Sequence, residues 1–358
     1  MKKGFLKYLD SHLSCLVSYI HAPDLNSSIC PDSILFIRPG GIGDAVLLIS
    51  TIELFKKSYP ECHITVLAER RNVAVFMLLP YLDKVLCYDR PHEFVQVLRS
   101  CFDVVIDTEQ WYRMSAVVAR LIRAPIKIGF DTNERRRMFT HRIRYDQSAY
   151  EQDNFYSLLK PLGVNCHNIK RAATLTLPDQ SVLNANQLLQ PFCFYKFVVI
   201  LTSASIPEKR WGTERFGLVA RRLAEDGYKV VVVGGREDRS EGDVIAGAGG
   251  LNLAGKTTLA ETAAVIARSS LLISGDSGVL HLALGLGIPT VSLFGPSNVA
   301  KWAPQGKNHI VLSNILACSP CSRFGTTPPC PYNVRCMKEI TADQVVEAAV
   351  ILLQKFKS

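Results

Sequence analysis

Asp276, Ser277 and Gly278 stand between an apolar run, Leu271 to Ser274, and a small-residue segment, Val279 to Leu286. The pattern reads as buried strand, tight turn at Gly275, and helix. The first turn of a helix leaves backbone N–H groups without partners and carries the positive end of its dipole, so it stabilises a phosphate placed there. Ser277 adds a hydroxyl and Gly278 lets the backbone approach a diphosphate. Asp276 either caps the helix or accepts from ligand hydroxyls. His281, four residues past Ser277, shares its helical face; it reads as a hydrogen-bonded core residue or as part of the site.

Other stretches offer chemistry to an anionic ligand. Ser203, Ser205, Lys209 and Arg210 follow the apolar run Phe197 to Leu201. On such a loop Lys209 is a compact charge for a phosphate, or one half of a solvated basic pair. Glu237 and Asp238 follow Gly234-Gly235, where a nucleotide site places its ribose-binding acid; solvated loop charges are the alternative. In the first half, Ile34 to Ile37 leads into Arg38-Pro-Gly-Gly-Ile-Gly-Asp44. The spacing of Gly40, Gly41 and Gly43 is not G-x-G-x-x-G, which argues against a nicotinamide or flavin dinucleotide. Asp44 is either an N-cap or a general base for a substrate hydroxyl. Arg135, Arg136, Arg137, Arg142 and Arg144, with His141, form a solvated face or a patch for an acidic acceptor. Cys318, Cys321, Cys330 and Cys336 have the donor set of a zinc or iron–sulfur site, but the spacing of the last two is looser than a zinc knuckle's. The expectation is no metal there, with free or locally paired thiols.

The elements that must hold these groups follow from periodicity. Apolar runs at Ile64 to Leu67, Val85 to Tyr88 and Val104 to Ile106 alternate with helical segments such as Glu93 to Ser100 and Ser115 to Arg123. From Phe197 a second alternating series follows, with runs at Lys229 to Val233, Leu271 to Ser274 and Thr290 to Phe294. Strand and helix alternation predicts parallel sheets covered on both faces, with ligands at the carboxyl ends of the strands. The expected class is α/β with two doubly wound domains facing a cleft. The expected divisions are an amphipathic helix and linker over 1–32, one domain over 33–180, a second over 190–340, and a terminal helix over 341–358. The polar stretch Pro178 to Pro191 is expected to hold the junction.

Composition narrows the function. The 358 residues are 48% hydrophobic, enough for large cores, and the net charge of +9 is not gathered in a polybasic tail, which argues against a nucleic-acid binder. No apolar run is long enough to span a bilayer, and Asp10, His12 and Ser14 interrupt any secretory signal. Eleven scattered cysteines fit a reducing cytoplasm. Phe5, Leu6, Leu9, Leu13, Leu16, Val17 and Ile20, with Lys2, Lys3 and Lys7, predict an amphipathic helix that packs on its own protein or on an anionic membrane surface.

Three motifs together, ILFIRPGGIGD over 34–44, SASIPEKRW over 203–211, and GDSGVLHLALGLGIPTVSLFGP over 275–296 with KWAP over 301–304, resemble those of glycosyltransferase family 9, the lipopolysaccharide heptosyltransferases. The resemblance covers roughly residues 33 to 350 and extends to the late cysteine segments. It implies a GT-B fold of two Rossmann-like domains, with the acceptor bound mainly by the first and a nucleotide-sugar, typically ADP-heptose, by the second. Asp44 then matches the family's proposed base, Lys209 its diphosphate-binding lysine, and Asp276, Ser277 and Gly278 its diphosphate turn, with Ser277 where many members have threonine. Asp238 matches an acidic donor contact less securely, since Glu237 adjoins it. The implied reaction is inverting transfer with no metal required. Arg135, Arg136, Arg137 and Arg142 would suit an acidic inner-core lipopolysaccharide acceptor, and the N-terminal helix would suit the inner face of the cytoplasmic membrane. Two other readings stand beside this one: a GT-B enzyme with another donor or acceptor, and a non-catalytic nucleotide-sugar sensor. The joint presence of Asp44 and Lys209 weighs against the sensor.

Overall fold

A computed structural model of the chain describes residues 30–166 and 175–356. The expected N-terminal amphipathic helix lies outside the described residues. Those residues fall into two compact units that part between residues 173 and 174.

The first unit is built on β1 (Ser33–Arg38), whose Ile34, Leu35, Phe36 and Ile37 are wholly inaccessible to solvent. A continuous apolar run suits a strand covered on both faces, and each such side chain contributes about 2 kcal/mol by leaving water. β2 (His63–Ala68) and β3 (Lys84–Cys87) lie on one side of β1. β4 (Val104–Asp107), β5 (Ile126–Phe130) and β6 (His141–Ile143) lie on the other, giving the order β3-β2-β1-β4-β5-β6. All pairs are parallel; Ile34, for example, is opposite both Ile64 and Val104. The strand order therefore reverses between β1 and β4, and the loops leaving those two strands open a crevice for ligand. Helix α1 (Ile42–Ser58) leaves the β1 loop and buries Ile49, Ile52 and Phe55, and its last turn carries Lys56 and Lys57 at the negative end of the dipole.

The second unit repeats this plan. Its strands are β7 (Phe197–Leu201), β8 (Lys229–Val233), β9 (Leu251–Asn252), β10 (Leu271–Gly275), β11 (Thr290–Phe294) and β12 (His309–Ser313). The order β12-β11-β10-β7-β8-β9 reverses between β7 and β10, as the first sheet does between its first and fourth strands. Two doubly wound parallel sheets were expected, and two are present. The stretch expected to hold the junction is instead helical over Asp179–Leu188. Ala185 and Leu189 are buried in the core of the second unit, and Asn184 Nδ2 donates to Glu261 Oε1 at 2.7 Å, so this segment is part of that unit. The final helix, Ala342–Lys355, has a capping box in which the Thr341 hydroxyl accepts from Gln344 N–H and the Gln344 side chain accepts from Thr341 N–H. Among the described residues no helix is long and apolar enough to cross a membrane.

Candidate active site

In the second unit the two loops at the strand reversal are joined by an ion pair. Lys209, at the end of a 3-10 turn over Pro207–Lys209, donates from Nζ to Asp276 Oδ2 at 2.5 Å. The Ser297 hydroxyl, just past β11, donates to the same oxygen at 2.5 Å. Burial alone would raise the Asp276 carboxyl, but Lys209, the Ser297 hydroxyl and His281 together hold it below its ordinary value. Asp276 therefore does not cap the following helix; Ser277 does. Its Oγ accepts from Leu280 N–H at 3.3 Å and is 3.0 Å from Ser274 Oγ. Helix α2 (Gly278–Gly285) thus opens beside an ammonium group, and its first-turn N–H groups at Gly278 and Val279 have no partner within the helix. Such an arrangement can hold a diphosphate and stabilise charge developing on it.

The remaining residues expected here have different fates. Ser205 is exposed on the loop leaving β7. His281 is buried within α2. Asp238 is neither a solvated charge nor turned outward as a ribose contact. It is buried, and its Oδ2 accepts from Gly235 N–H at 2.7 Å, closing the turn after β8. Burial raises its carboxyl above the ordinary range despite hydrogen bonds from Gly235 and Ser203. Glu237 beside it is exposed.

In the first unit Asp44 occupies the third position of α1, half-buried, and Gly41 rather than Asp44 is the N-cap. Gly40 has φ +116°, a conformation that favours glycine, and its N–H donates to the buried Glu69 Oε2 at 2.8 Å. Sequence reasoning passed over Arg38, which lies behind this turn. Its Nη1 donates to the Thr108 carbonyl at 2.8 Å and its Nη2 to Glu109 Oε2 at 3.2 Å, tying the β1 loop to the β4 loop. Trp111, on that second loop, was also missed. It is two-fifths exposed, its N–H donates to Glu109 Oε1 at 3.1 Å, and its carbonyl accepts from Asn133 at 2.8 Å.

The arginine run divides. Arg135 is fully buried, with Nη2 2.5 Å from Asp107 Oδ2, Nε donating to the Tyr112 carbonyl, and the guanidinium 5.2 Å from the Phe139 ring centre. It is consumed inside the fold and cannot meet an acceptor. The Asn133 side chain accepts from Arg135 N–H and starts the 3-10 turn, Glu134–Met138, that directs this residue inward. Arg136, Arg142 and Arg144 are exposed and Arg137 is half-buried.

Cys318, Cys321, Cys330 and Cys336 are unbridged and together line an apolar cavity of about 120 Å³ next to Pro296. Among the described residues no three metal-ligating side chains are grouped to hold an ion. Cys321 and Ser322 N–H groups both donate to the Pro296 carbonyl at 2.9 Å, and the Ser319 hydroxyl donates to the Gly295 carbonyl at 2.5 Å. The segment thus braces the backbone that presents Ser297 to Asp276.

Comparison with known proteins adds identity to this geometry. Residues 92–330 match the family model described as glycosyltransferase family 9 (heptosyltransferase). A lipopolysaccharide heptosyltransferase 3 of Escherichia coli is 29% identical over 293 residues, which is 75% of this chain and 85% of that one. Among solved structures, a family 9 glycosyl transferase from Veillonella parvula superposes with a TM-score of 0.77 at 24% identity, covering 90% of this chain and 97% of that one. An E. coli ADP-heptose lipopolysaccharide heptosyltransferase II does so at 0.75 and 20% identity, covering 91% and 100%.

Proposed function

The chain belongs to glycosyltransferase family 9 and is a glycosyltransferase of GT-B fold, and from that premise we propose that it moves a heptose from ADP-heptose onto the inner core of lipopolysaccharide. The names carried by its relatives, a lipopolysaccharide heptosyltransferase and an ADP-heptose-dependent one, support that choice of donor and acceptor. The observation that carries the reading is the Lys209–Asp276 pair set against the capped start of α2, a ready-made diphosphate seat. In this scheme Asp276 aims Lys209, whose remaining N–H groups, with Ser205, Ser277 and the Gly278 and Val279 amides, hold the donor diphosphate.

Asp44 acts as general base. It takes the proton of the acceptor hydroxyl as that oxygen attacks the anomeric carbon from the face opposite the diphosphate. The bond from the anomeric carbon to the diphosphate oxygen breaks, its electron pair leaves with ADP, and the configuration inverts. Lys209 and the helix-terminal amides take up the charge appearing on ADP. Arg136, Arg137 and Arg142 receive the acidic acceptor. A lipid-borne acceptor sets the reaction at the inner face of the cytoplasmic membrane, to which the lysine-bearing N-terminal stretch is suited.

Thermal shift against a panel of nucleotide-sugars tests the donor. A ligand at a hundred times its Kd adds about 2.7 kcal/mol to the folded state, and ADP-heptose should give the largest shift. A response to UDP- or GDP-sugars with none to ADP-heptose would overturn the donor assignment in favour of another GT-B transferase.

A further inference from the structure

Arg38 has no part in the scheme above, yet its side chain is heavily engaged close to Asp44. Its guanidinium is 1% exposed. Besides its bonds to Thr108 and Glu109, Nε donates to the Pro39 carbonyl at 2.6 Å, and the group lies 5.6 Å from the Phe155 ring centre. The Arg38 carbonyl in turn accepts from Asn72 Nδ2 at 3.1 Å. These contacts fasten the glycine-rich turn to the loops leaving β2 and β4. The guanidinium and the Asp44 carboxylate share the space over Gly40: a Cβ there would stand 3.1 Å from Arg38 Nη2 and 3.8 Å from Asp44 Oδ2.

The charges around this point come from several elements. Asp44 on α1, Asp107 and Glu109 at the end of β4, and Glu151 all act on Arg38. Burial alone would lower the arginine's pKa, and the carboxylates, Asp44 foremost, hold it above its ordinary value, so it is a fixed cation. Three nearby acids are already engaged elsewhere. Asp107 pairs with Arg135, Glu69 with Arg71 and the Gly40 amide, and Glu151 accepts from Gln110 and, at 2.8 Å, from the Tyr145 hydroxyl. Tyr145 is pushed up by burial and by Glu151, Asp44 and Glu109, and stays a neutral donor.

We propose that Arg38 is the positioning residue for the catalytic base: its fork, held by the Thr108 carbonyl and Glu109, fixes the turn that carries Asp44 and so the place from which the base meets the acceptor hydroxyl. This rests on Asp44 being the base. A base displaced by even about 1 Å loses turnover rather than substrate binding, so loosening the turn should lower kcat and leave KM and ADP affinity in place. A residue that merely held the fold together would lower the folded fraction and leave kcat per folded molecule unchanged.

The test is kcat and KM for heptosyl transfer per folded molecule, with ADP affinity alongside, in wild type, Arg38→Lys, Arg38→Gln and Glu109→Gln. Arg38→Gln should lower kcat by about 100-fold with KM and ADP affinity unchanged, and Glu109→Gln, which frees one arm of the fork, by about 10-fold. Arg38→Lys should lower kcat nearly as far as Arg38→Gln, because it retains the charge and loses the fork. Glutamine at 109 keeps an amide oxygen for the Trp111 N–H, so that variant carries the test alone if Arg38→Gln does not fold. Wild-type kcat in folded, ADP-binding variants overturns the proposal. Asp44→Asn separates the two levels: wild-type turnover there removes the base itself, whereas loss of turnover there with wild-type kcat in the Arg38 and Glu109 variants removes only the role of Arg38.

Discussion

Replacing Lys209 with methionine removes the ammonium and leaves the Asp276 carboxylate with the Ser297 hydroxyl as its hydrogen-bond donor. Removing one partner of a fully buried pair costs about 3–5 kcal/mol. Here the side chains are 20% and 12% exposed and one hydrogen bond survives, which brings the expected loss to about 2 kcal/mol at neutral pH. The pH dependence has a definite sign. The Asp276 carboxyl lies below its ordinary value in the fold, so its contribution is present above the unfolded value and is lost as pH falls through the folded one. Without Lys209 the carboxyl takes up a proton earlier on acidification. The gap between wild type and variant should therefore be widest near pH 7 and narrow toward about pH 4. Urea unfolding followed by fluorescence measures it, with Trp211 as the natural reporter, buried in the second core and donating from Nε1 to the Ile340 carbonyl at 2.9 Å. A charge-assisted bond to a phosphate is worth about 1.5–3 kcal/mol, so ADP should bind roughly 10- to 100-fold more weakly by calorimetry. Unchanged ADP affinity, or a stability gap equal at both pH values, would refute the reasoning.

Arg135→Met should destabilise the first unit by about 3–5 kcal/mol in denaturant melts, because it strands the buried Asp107 carboxylate. Arg136→Met should change stability by less than about 0.5 kcal/mol and raise the acceptor KM, a contrast that separates the structural arginine from the exposed one. Gly40→Ala should cost about 1–3 kcal/mol through its positive φ and the contact with Arg38, and should depress transfer while leaving ADP affinity, which the proposal assigns to the second unit, unchanged.

Both sheets were legible because their strands are continuous apolar runs and the helices between them keep their periodicity. Short elements were not: β6 has three residues and β9 two, too few to show any period. The segment after Pro178 reads as a linker because of its polar composition, and only tertiary burial of Ala185 and Leu189 makes it a packed helix. The turn proposed to seat the diphosphate stood out because glycine, serine and aspartate stand together between a strand and a helix. That Asp276 pairs while Ser277 caps was not legible, because the choice depends on Lys209 arriving from 67 positions away. Arg135 looked like its exposed neighbours for the same reason: a run of arginines carries no mark of the one that Asp107 draws inside. Arg38 carried a signal that was overlooked, a charged residue ending a strand whose four preceding residues are fully buried.

The central claim is that Asp44 accepts the acceptor proton while the Lys209 loop and the start of α2 hold ADP. Its most direct test is the initial rate of ADP release from ADP-heptose in the presence of a lipopolysaccharide inner-core acceptor, compared between wild type and Asp44→Asn. The account predicts a loss of about 100- to 10,000-fold in kcat with ADP affinity unchanged. Wild-type turnover by Asp44→Asn would contradict it.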